Sequence, residues 1–422
     1  MDPELKLAVV IFALAYVGII AFRRYKELIL WIAILIAIPL KLIVPLQLIS
    51  GVEWNIIGIF VGSLILGELF IVSRIPESVS DHLTRRSSST GVAFLIIIGF
   101  ASFISIFIDN VATVLIVAPI ALDLAKKAKV SPVAAMVGLA IASNLQGAAI
   151  LIGDMPSMLL AAWMKMNFLD FFFYRGKFSI FWFIEAGAVV SFLVLYLFFR
   201  RDKAKVKREH KTEVVSMVPL YLLIIMIVLL SIASWIDKEA KWFGGVVCVA
   251  IGALGLIWLW KAVPEEFNGV LKRFDYRTLF FLIGVFILVD MLIEKGVISE
   301  VVGYFNSLAI KDEFKLLSIV VWFSVLVSAF IDNVPYITAM IPIVKDLAPD
   351  GSELQVMLIF GLLIGSCLGG NITPIGASAN IVATGILKRE GWDISFMQFV
   401  KIGLPFTIAA TLSAYLILYV VY

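Results

Sequence analysis

Histidine and cysteine are nearly absent, with two of each in 422 residues. His82 and His210 lie in polar stretches, so the sequence supports neither a histidine metal centre nor a histidine-based triad. Cys248 and Cys367 fall inside apolar runs, where a cysteine packs as a small hydrophobe. Neither a disulfide framework nor a thiolate metal site is expected from them. Charge is scarce as well: 15% of residues are charged, 62% are hydrophobic, and the mean hydropathy is +1.06. A soluble domain of this size cannot carry so little polar surface. A net charge of +3 with a pI near 8.6 says little about partners; the basic run 200–211 reads as a topology determinant, and nothing else suggests nucleic acid. No basic leader with a small-residue cleavage site precedes the first apolar run, so Leu5–Phe22 reads as a retained span.

What is present is a series of apolar runs, each about 18–20 residues long, the length needed to cross a bilayer as a helix. In the first half these are Leu5–Phe22, Leu28–Leu46, Trp54–Val72 and Phe178–Phe199. Pro39, Lys41 and Pro45 weaken the end of the second. In the second half they are Val214–Trp235, Trp242–Trp260, Tyr276–Ile293 and Phe399–Val421. The polar stretch Ser73–Thr90 fits an arm lying at the interface. Two further apolar segments, Pro132–Trp163 and Leu354–Leu387, are interrupted at 143–157 and 365–380. Gly147, Gly153 and Pro156 inside a spanning segment mean a broken helix.

The chain also repeats itself. Phe107-Ile-Asp-Asn-Val-Ala-Thr-Val-Leu-Ile-Val-Ala-Pro-Ile120 returns 223 residues later as Phe330-Ile-Asp-Asn-Val-Pro-Tyr-Ile-Thr-Ala-Met-Ile-Pro-Ile343, and Ile152-Gly153 returns as Ile375-Gly376. An ionised carboxylate costs roughly 2.5–3.5 kcal/mol or more at mid-bilayer, so a duplicated Asp-Asn pair between apolar runs is read as functional. Asp and Asn tolerate left-handed backbone and interrupt helices. Each pair is therefore expected at the tip of a hairpin that enters the membrane and turns back, one within Gly91–Ala125 and one around Asp332. The fold expected is an all-α polytopic membrane protein of two inverted repeats, residues 1–200 and 214–422. It has about ten crossings, two re-entrant hairpins at 109–111 and 332–334, and two broken helices. Residues 201–213 form a basic linker; Arg200–Lys211 holds seven Lys or Arg in twelve positions. Five crossings per half invert the second repeat. A cytoplasmic linker then puts 23 of the 34 Lys and Arg inside and 11 outside, in keeping with the positive-inside bias. Both termini fall outside, the first hairpin enters from the cytoplasm and the second from the opposite side.

Two hairpin tips and two unwound helix centres thus converge near the midplane. Freed carbonyls and half-helix ends in such a layout bind substrate and coupling ions. The candidate binding residues are Asp109, Asn110, Asn144, Gly153, Asp154 and Ser157 in the first half, and Asp332, Asn333, Asn371, Thr373, Gly376, Ser378 and Asn380 in the second. Carboxylate and amide oxygens suit a hard cation, and Na⁺ is expected at Asp109, Asn110, Asp332 and Asn333. Asp154 has no acidic counterpart, since its repeat position is Ala377, and reads either as an ion or proton ligand or as a helix cap. The tip acids have a structural alternative as caps, and Gly153 and Gly376 as packing glycines. Glu68 and Asp290 read as solvated helix ends. Glu185 lies within a span, and a local basic partner is expected for it. No cofactor is expected beyond a coupling Na⁺ or H⁺. Ile152-Gly153-Asp154 superficially fits an intramembrane aspartic protease, but that chemistry needs one dyad sharing a proton, not a symmetric duplication; the chain reads as a non-enzyme.

These motifs together resemble the ion transporter superfamily. The carriers of the resemblance are Phe107-Ile-Asp-Asn-Val-Ala-Thr-Val114, Ser143-Asn144 leading to Leu151-Ile-Gly-Asp-Met-Pro156, and Leu368-Gly-Gly-Asn-Ile-Thr-Pro-Ile-Gly-Ala-Ser-Ala-Asn380, and the likeness spans nearly the whole chain. That group holds the melanosomal P protein, arsenite-efflux permeases, NhaD-type sodium/proton antiporters and citrate or dicarboxylate carriers. The pattern is most similar to the P-protein branch, with departures at Gln146, Met155 and Ser157, where Gly, Pro and Asn are usual. The resemblance implies an elevator mechanism, a homodimer through the scaffold spans, and tip residues as ion ligands. The function expected is secondary active transport of a small ion or solute coupled to Na⁺ or H⁺ in the cell membrane, with cation/proton exchange first. Arsenite or antimonite efflux, Na⁺-coupled citrate or dicarboxylate uptake, and a channel on the same fold are the alternatives.

Overall fold

Helices make up nearly all the regular structure of the computed structural model, which describes residues 3–84, 87, 89–200, 212–298, 300 and 312–422. The core of the basic linker, 201–211, lies outside the described residues. Seven helices among those described are long and apolar enough to cross a membrane: Pro3–Ala21, Trp54–Val72, Ile180–Phe199, Val218–Ile236, Phe243–Ala262, Pro264–Glu294 and Phe396–Val421. The chain is an integral membrane protein. Within the sixth of these, a short amphipathic helix, Pro264–Arg273, precedes the crossing helix Tyr276–Glu294.

The hairpins form where the repeat places them. The first joins Thr90–Ser105 to Asn110–Ala128, and the second joins Glu313–Ser328 to Asn333–Lys345. A 16-residue helix is about 24 Å long, short of the roughly 30 Å hydrocarbon core, so the first legs end before they cross. The broken helices are Val133–Gly147 with Met155–Met164, and Glu353–Gly369 with Ser378–Arg389. The repeat extends to individual hydrogen bonds. Ser105 Oγ donates to the Ser143 carbonyl at 2.8 Å, and Ser328 Oγ donates to the Ser366 carbonyl at 2.5 Å, both residues displaced by the same 223 positions.

Packing sorts the helices into two bundles. The hairpins and broken helices gather with Ile180–Phe199 and Phe396–Val421 into a hairpin bundle. Pro3–Ala21, Lys26–Ala37, Trp54–Val72, Val218–Ile236, Phe243–Ala262 and Tyr276–Glu294 form a second bundle. Its pairings also exchange under the repeat: Trp54–Val72 packs on Phe243–Ala262, and Tyr276–Glu294 on Lys26–Ala37. The first of these crossings is closed by glycine. A Cβ at Gly62 would lie 2.2 Å from the Cys248 backbone, and one at Gly58 would lie 2.8 Å from Gly245 Cα. Small residues at such crossings let backbones approach, which is how helices associate when lipid is as apolar as the side chains. Cys248 is free, buried, and part of this contact. Gly62→Val is expected to destabilise the protein by about 1–3 kcal/mol through overpacking. Thermal unfolding in detergent checks it; an unchanged midpoint would show that the crossing tolerates side chains.

One expectation about the spans needs correction, and one small element lies outside them. The second span is not a continuous helix over 28–46: it ends at Ala37 after twelve residues, and turns follow. Pro39 and Pro45 remove donors there, and Lys41 takes a positive φ of 57°. The segment 173–178 is a two-stranded β-hairpin, Phe173–Tyr174 against Lys177–Phe178. Arg175 and Gly176, with φ of 53° and 80°, supply the left-handed pair that a tight hairpin turn requires.

Candidate functional site

The two tips are built alike but held differently. Asp109 sits one residue before its helix, and its Oδ1 accepts from the backbone of Val111 at 2.9 Å and Ala112 at 3.2 Å. Asp332 caps the equivalent helix more loosely, through Val334 N at 3.4 Å. Its other oxygen lies 3.9 Å from Lys26 Nζ, on the second bundle. Capping and charge coexist at each tip, because an N-cap uses one carboxylate oxygen and leaves the other free.

Asparagines cross-link the middle. Asn110 Nδ2 donates to Asn144 Oδ1 at 2.9 Å and to Asp154 Oδ2 at 3.2 Å. Asn144 Nδ2 in turn donates to the Cys367 carbonyl at 3.0 Å and to Asn371 Oδ1 at 2.9 Å. Asn144 and Cys367 are repeat equivalents, 223 positions apart, so their contact marks where the two halves of the site meet. Asp154 caps its own half-helix through Met155 N at 2.8 Å, and the Asn333 side chain also engages it. Both tip asparagines therefore converge on the one carboxylate that the repeat does not duplicate.

A cavity of about 720 Å³ opens onto this cluster. Asp109, Asn110, Asn144, Gly153, Asp154, Asp332, Asn333 and Ser378 line it. The remaining candidates do not; they brace it. Ser157 Oγ donates to the Ala148 carbonyl at 3.1 Å. Asn380 closes the second unwound segment by donating to the carbonyls of Gly370 and Thr373, at 2.8 and 2.9 Å. Thr373 Oγ1 donates to the Ala329 carbonyl, and Asn371 acts through Asn144. The two glycines are places of close approach. A Cβ on Gly153 would stand 2.5 Å from the Gly147 carbonyl oxygen and 2.9 Å from that of Ile106; on Gly376 the distances to Gly370 O and Ala329 O are 2.5 and 3.0 Å. In both repeats the unwound segment is pinned against the end of the hairpin's first leg.

The fold is similar to solved transporters. It aligns with the YdaH transporter of Alcanivorax borkumensis at a TM-score of 0.61, 14% identity, 89% of this chain and 87% of that one. With MtrF of Neisseria gonorrhoeae, described as illuminating a class of antimetabolite efflux pumps, the TM-score is 0.57 at 10% identity, over 99% and 94%. Residues 16–365 match the citrate transporter family, CitMHS. The chain belongs to that family. Its curated relatives include the 46 kDa membrane protein of Mycobacterium leprae, 28% identical over 95% of both chains, and the human P protein, 25% identical over 86% of this chain and 53% of that longer one.

In this citrate-transporter-family chain the mouth of the cavity carries residues that the sequence reading passed over. Arg24, Lys26 and Glu27 come from the start of the shortened second helix, and Lys272, Arg273, Asp275 and Arg277 from the end of the amphipathic helix and the turn beyond it. Arg273 pairs with Glu68 at 2.7 Å, and Arg277 with Glu27. Glu68 is thus ion-paired and lines the vestibule rather than being a merely solvated helix end. Asp290, the other acid expected at a solvated helix end, lies elsewhere, accepting from Gln47 at 3.2 Å. The Lys and Arg among the mouth residues count toward the positive-inside bias, but nothing in the sequence shows that they fold over the cavity. Glu185 is a further correction: its partner is not a basic residue but Gln146, whose Nε2 lies 3.3 Å from Glu185 Oε2.

Proposed function

We propose that this protein is a secondary active transporter coupled to Na⁺ or H⁺, and that cation/proton exchange is its activity. The observation that carries the reading is the cavity floor: Asp109, Asp154 and Asp332 share it, and the side chains bridging it are neutral asparagines. Lys26, at 3.9 Å from Asp332, is the cation closest to an acid there. Three carboxylates with so little compensation need cations, and at effective dielectrics near 20 two unit charges 4 Å apart interact by about 4 kcal/mol. Na⁺ or protons fit that requirement. The family match and the cations at the mouth favour a second reading, Na⁺-coupled uptake of citrate or another di- or tricarboxylate, with bound cations screening the substrate from the floor.

Transport by an elevator is part of the proposal. All four polar breaks belong to the hairpin bundle, so they would travel together against the second bundle as a scaffold, which would also carry the homodimer contact. Inverted repeats, a cytoplasmic linker, a cytoplasmic cavity mouth and extracytoplasmic termini in the cell membrane complete it. The mouth residues 24–27 and 272–277 lie on the side assigned by the positive-inside bias.

The experiment is gradient-driven flux in proteoliposomes with imposed Na⁺ and pH gradients, run for the protein and for Asp109→Asn and Asp332→Asn. Each substitution keeps the cap and removes the charge. Asp109→Asn is expected to lose more, because Lys26 already offsets part of the charge at Asp332. Lys26→Met should tighten the apparent affinity for Na⁺. If both Asp variants move ions with unchanged Na⁺ and pH dependence, the tip acids are structural and the exchange reading fails; flux that never exceeds the imposed gradient would point to a channel.

A further inference from the structure

Glu185 is the sixth residue of the spanning helix Ile180–Phe199. Phe396–Val421, Val133–Gly147 and Thr90–Ser105 pack along that helix, and Glu353–Gly369 touches it where Phe360 meets Phe183. The titratable side chains on these are Lys401, Tyr415 and Tyr419 on Phe396–Val421, with Cys367, which is buried, and Glu353, which pairs with Lys177, on Glu353–Gly369. Lys401 is exposed, and the rings of Tyr415 and Tyr419 pack on Phe314. Glu185 interacts with its apolar surroundings and with Gln146, and with no charged group among the described residues. Gln146 is the next-to-last residue of the first half-helix and is 4% exposed.

One hydrogen bond joins the pair, from Gln146 Nε2 to Glu185 Oε2. The two atoms left over, Gln146 Oε1 and Glu185 Oε1, are both buried and both without a partner. An ionised carboxylate and an amide oxygen are acceptors only, so this arrangement leaves two buried acceptors and no donor, a state that costs about 1–3 kcal/mol per group. A single proton on Glu185 Oε1 changes that. The acid O–H can then donate to the amide oxygen while the amide N–H donates to the acid carbonyl, closing a two-bond ring of acid and amide. Turning the Gln146 amide over, so that its N and O exchange places, does not remove the need, because two acceptors would then face each other at 3.3 Å.

We propose that Glu185 is a proton-binding site of the hairpin bundle, separate from the Asp109, Asp154 and Asp332 floor, and that its protonated form is held by Gln146 in a paired acid–amide ring. The site connects to the ion cluster through one peptide: Gln146 precedes Gly147, whose carbonyl lies against Gly153 in the unwound segment. Loss of the proton breaks one bond of the ring and frees Gln146 to turn, which loosens the end of the half-helix that presents Asn144. Proton binding here stands on the geometry of the pair; its coupling to transport rests on the function proposed above.

The test is infrared difference spectroscopy of the purified full-length protein titrated with pH in H₂O and D₂O. A protonated carboxylic-acid carbonyl band is expected at neutral pH, lost on alkaline titration, absent from Glu185→Gln and retained in Asp154→Asn. Glu185→Gln keeps the shape and permits an amide–amide ring, so folding is expected to survive; Gln146→Met is the second variant and should shift the band toward that of an acid with no hydrogen bond. Superimposable spectra of the protein and Glu185→Gln at neutral pH, or a band unmoved by Gln146→Met, would overturn the proposal. The spectra need no transport, so a protein that shows the band but no proton-driven flux sinks the exchange reading alone.

Discussion

Asp154→Asn is expected to lower cation affinity by about 1000-fold and to abolish gradient-driven flux. The side chain keeps its size and can still cap Met155, but the charge on which Asn110 and Asn333 converge is gone. An attraction of about 4 kcal/mol between unit charges 4 Å apart at an effective dielectric of 20, at 1.4 kcal/mol per tenfold, sets the magnitude. The duplicated tips are flexible in their requirement, since one acid can partly stand in for the other; the unduplicated acid has no such substitute. Na⁺-dependent thermal stabilisation of the purified variant measures binding without transport, because a ligand that binds only the folded state raises its stability in proportion to the logarithm of its concentration. A variant that is stabilised by Na⁺ as strongly as the parent protein would remove Asp154 from the site.

Asn144→Ala is expected to damage both stability and transport. One amide bridges the first tip, the backbone at Cys367 and Asn371 of the second broken helix. Truncation leaves the Cys367 carbonyl and Asn371 Oδ1 buried without this donor and takes one acceptor from Asn110. Each unsatisfied buried group costs about 1–3 kcal/mol, so a loss of about 3 kcal/mol or more is expected, seen as a lower unfolding midpoint in detergent. Flux should fall even where the protein still folds, because the two halves of the site are no longer held in register. An Asn144→Ala protein with unchanged midpoint and flux would mean that the asparagine bridge is incidental.

The local features of the site were legible in the sequence because each arises within a few residues. Asp109-Asn110 and Asp332-Asn333 cap and start the second legs of the two hairpins, and Gly147, Gly153 and Pro156 break a helix; such breaks follow from local backbone chemistry. The repeat added the pairing of halves, and the structure carries it down to Ser105–Ser143 and Ser328–Ser366. The span lengths followed from the bilayer, except where Pro39, Lys41 and Pro45 cut the second span to Lys26–Ala37.

What the tertiary structure decided are the contacts between segments far apart in the chain. No spacing rule distinguishes the candidates that line the cavity from those that brace it, since Ser378 and Asn380 are two residues apart and differ in just this way. The convergence of Asn110 and Asn333 on Asp154 depends on how two hairpins and a broken helix pack, not on any of their sequences singly. Gln146 and Glu185 are 39 positions apart, and neither has an acidic or amide counterpart in the other half, so periodicity could not pair them. Sequence determined where this chain bends and which of its polar groups must lie inside the membrane. Packing determined which of those groups face one another, because burial removes water as the alternative partner and leaves each group to the neighbour that the fold supplies.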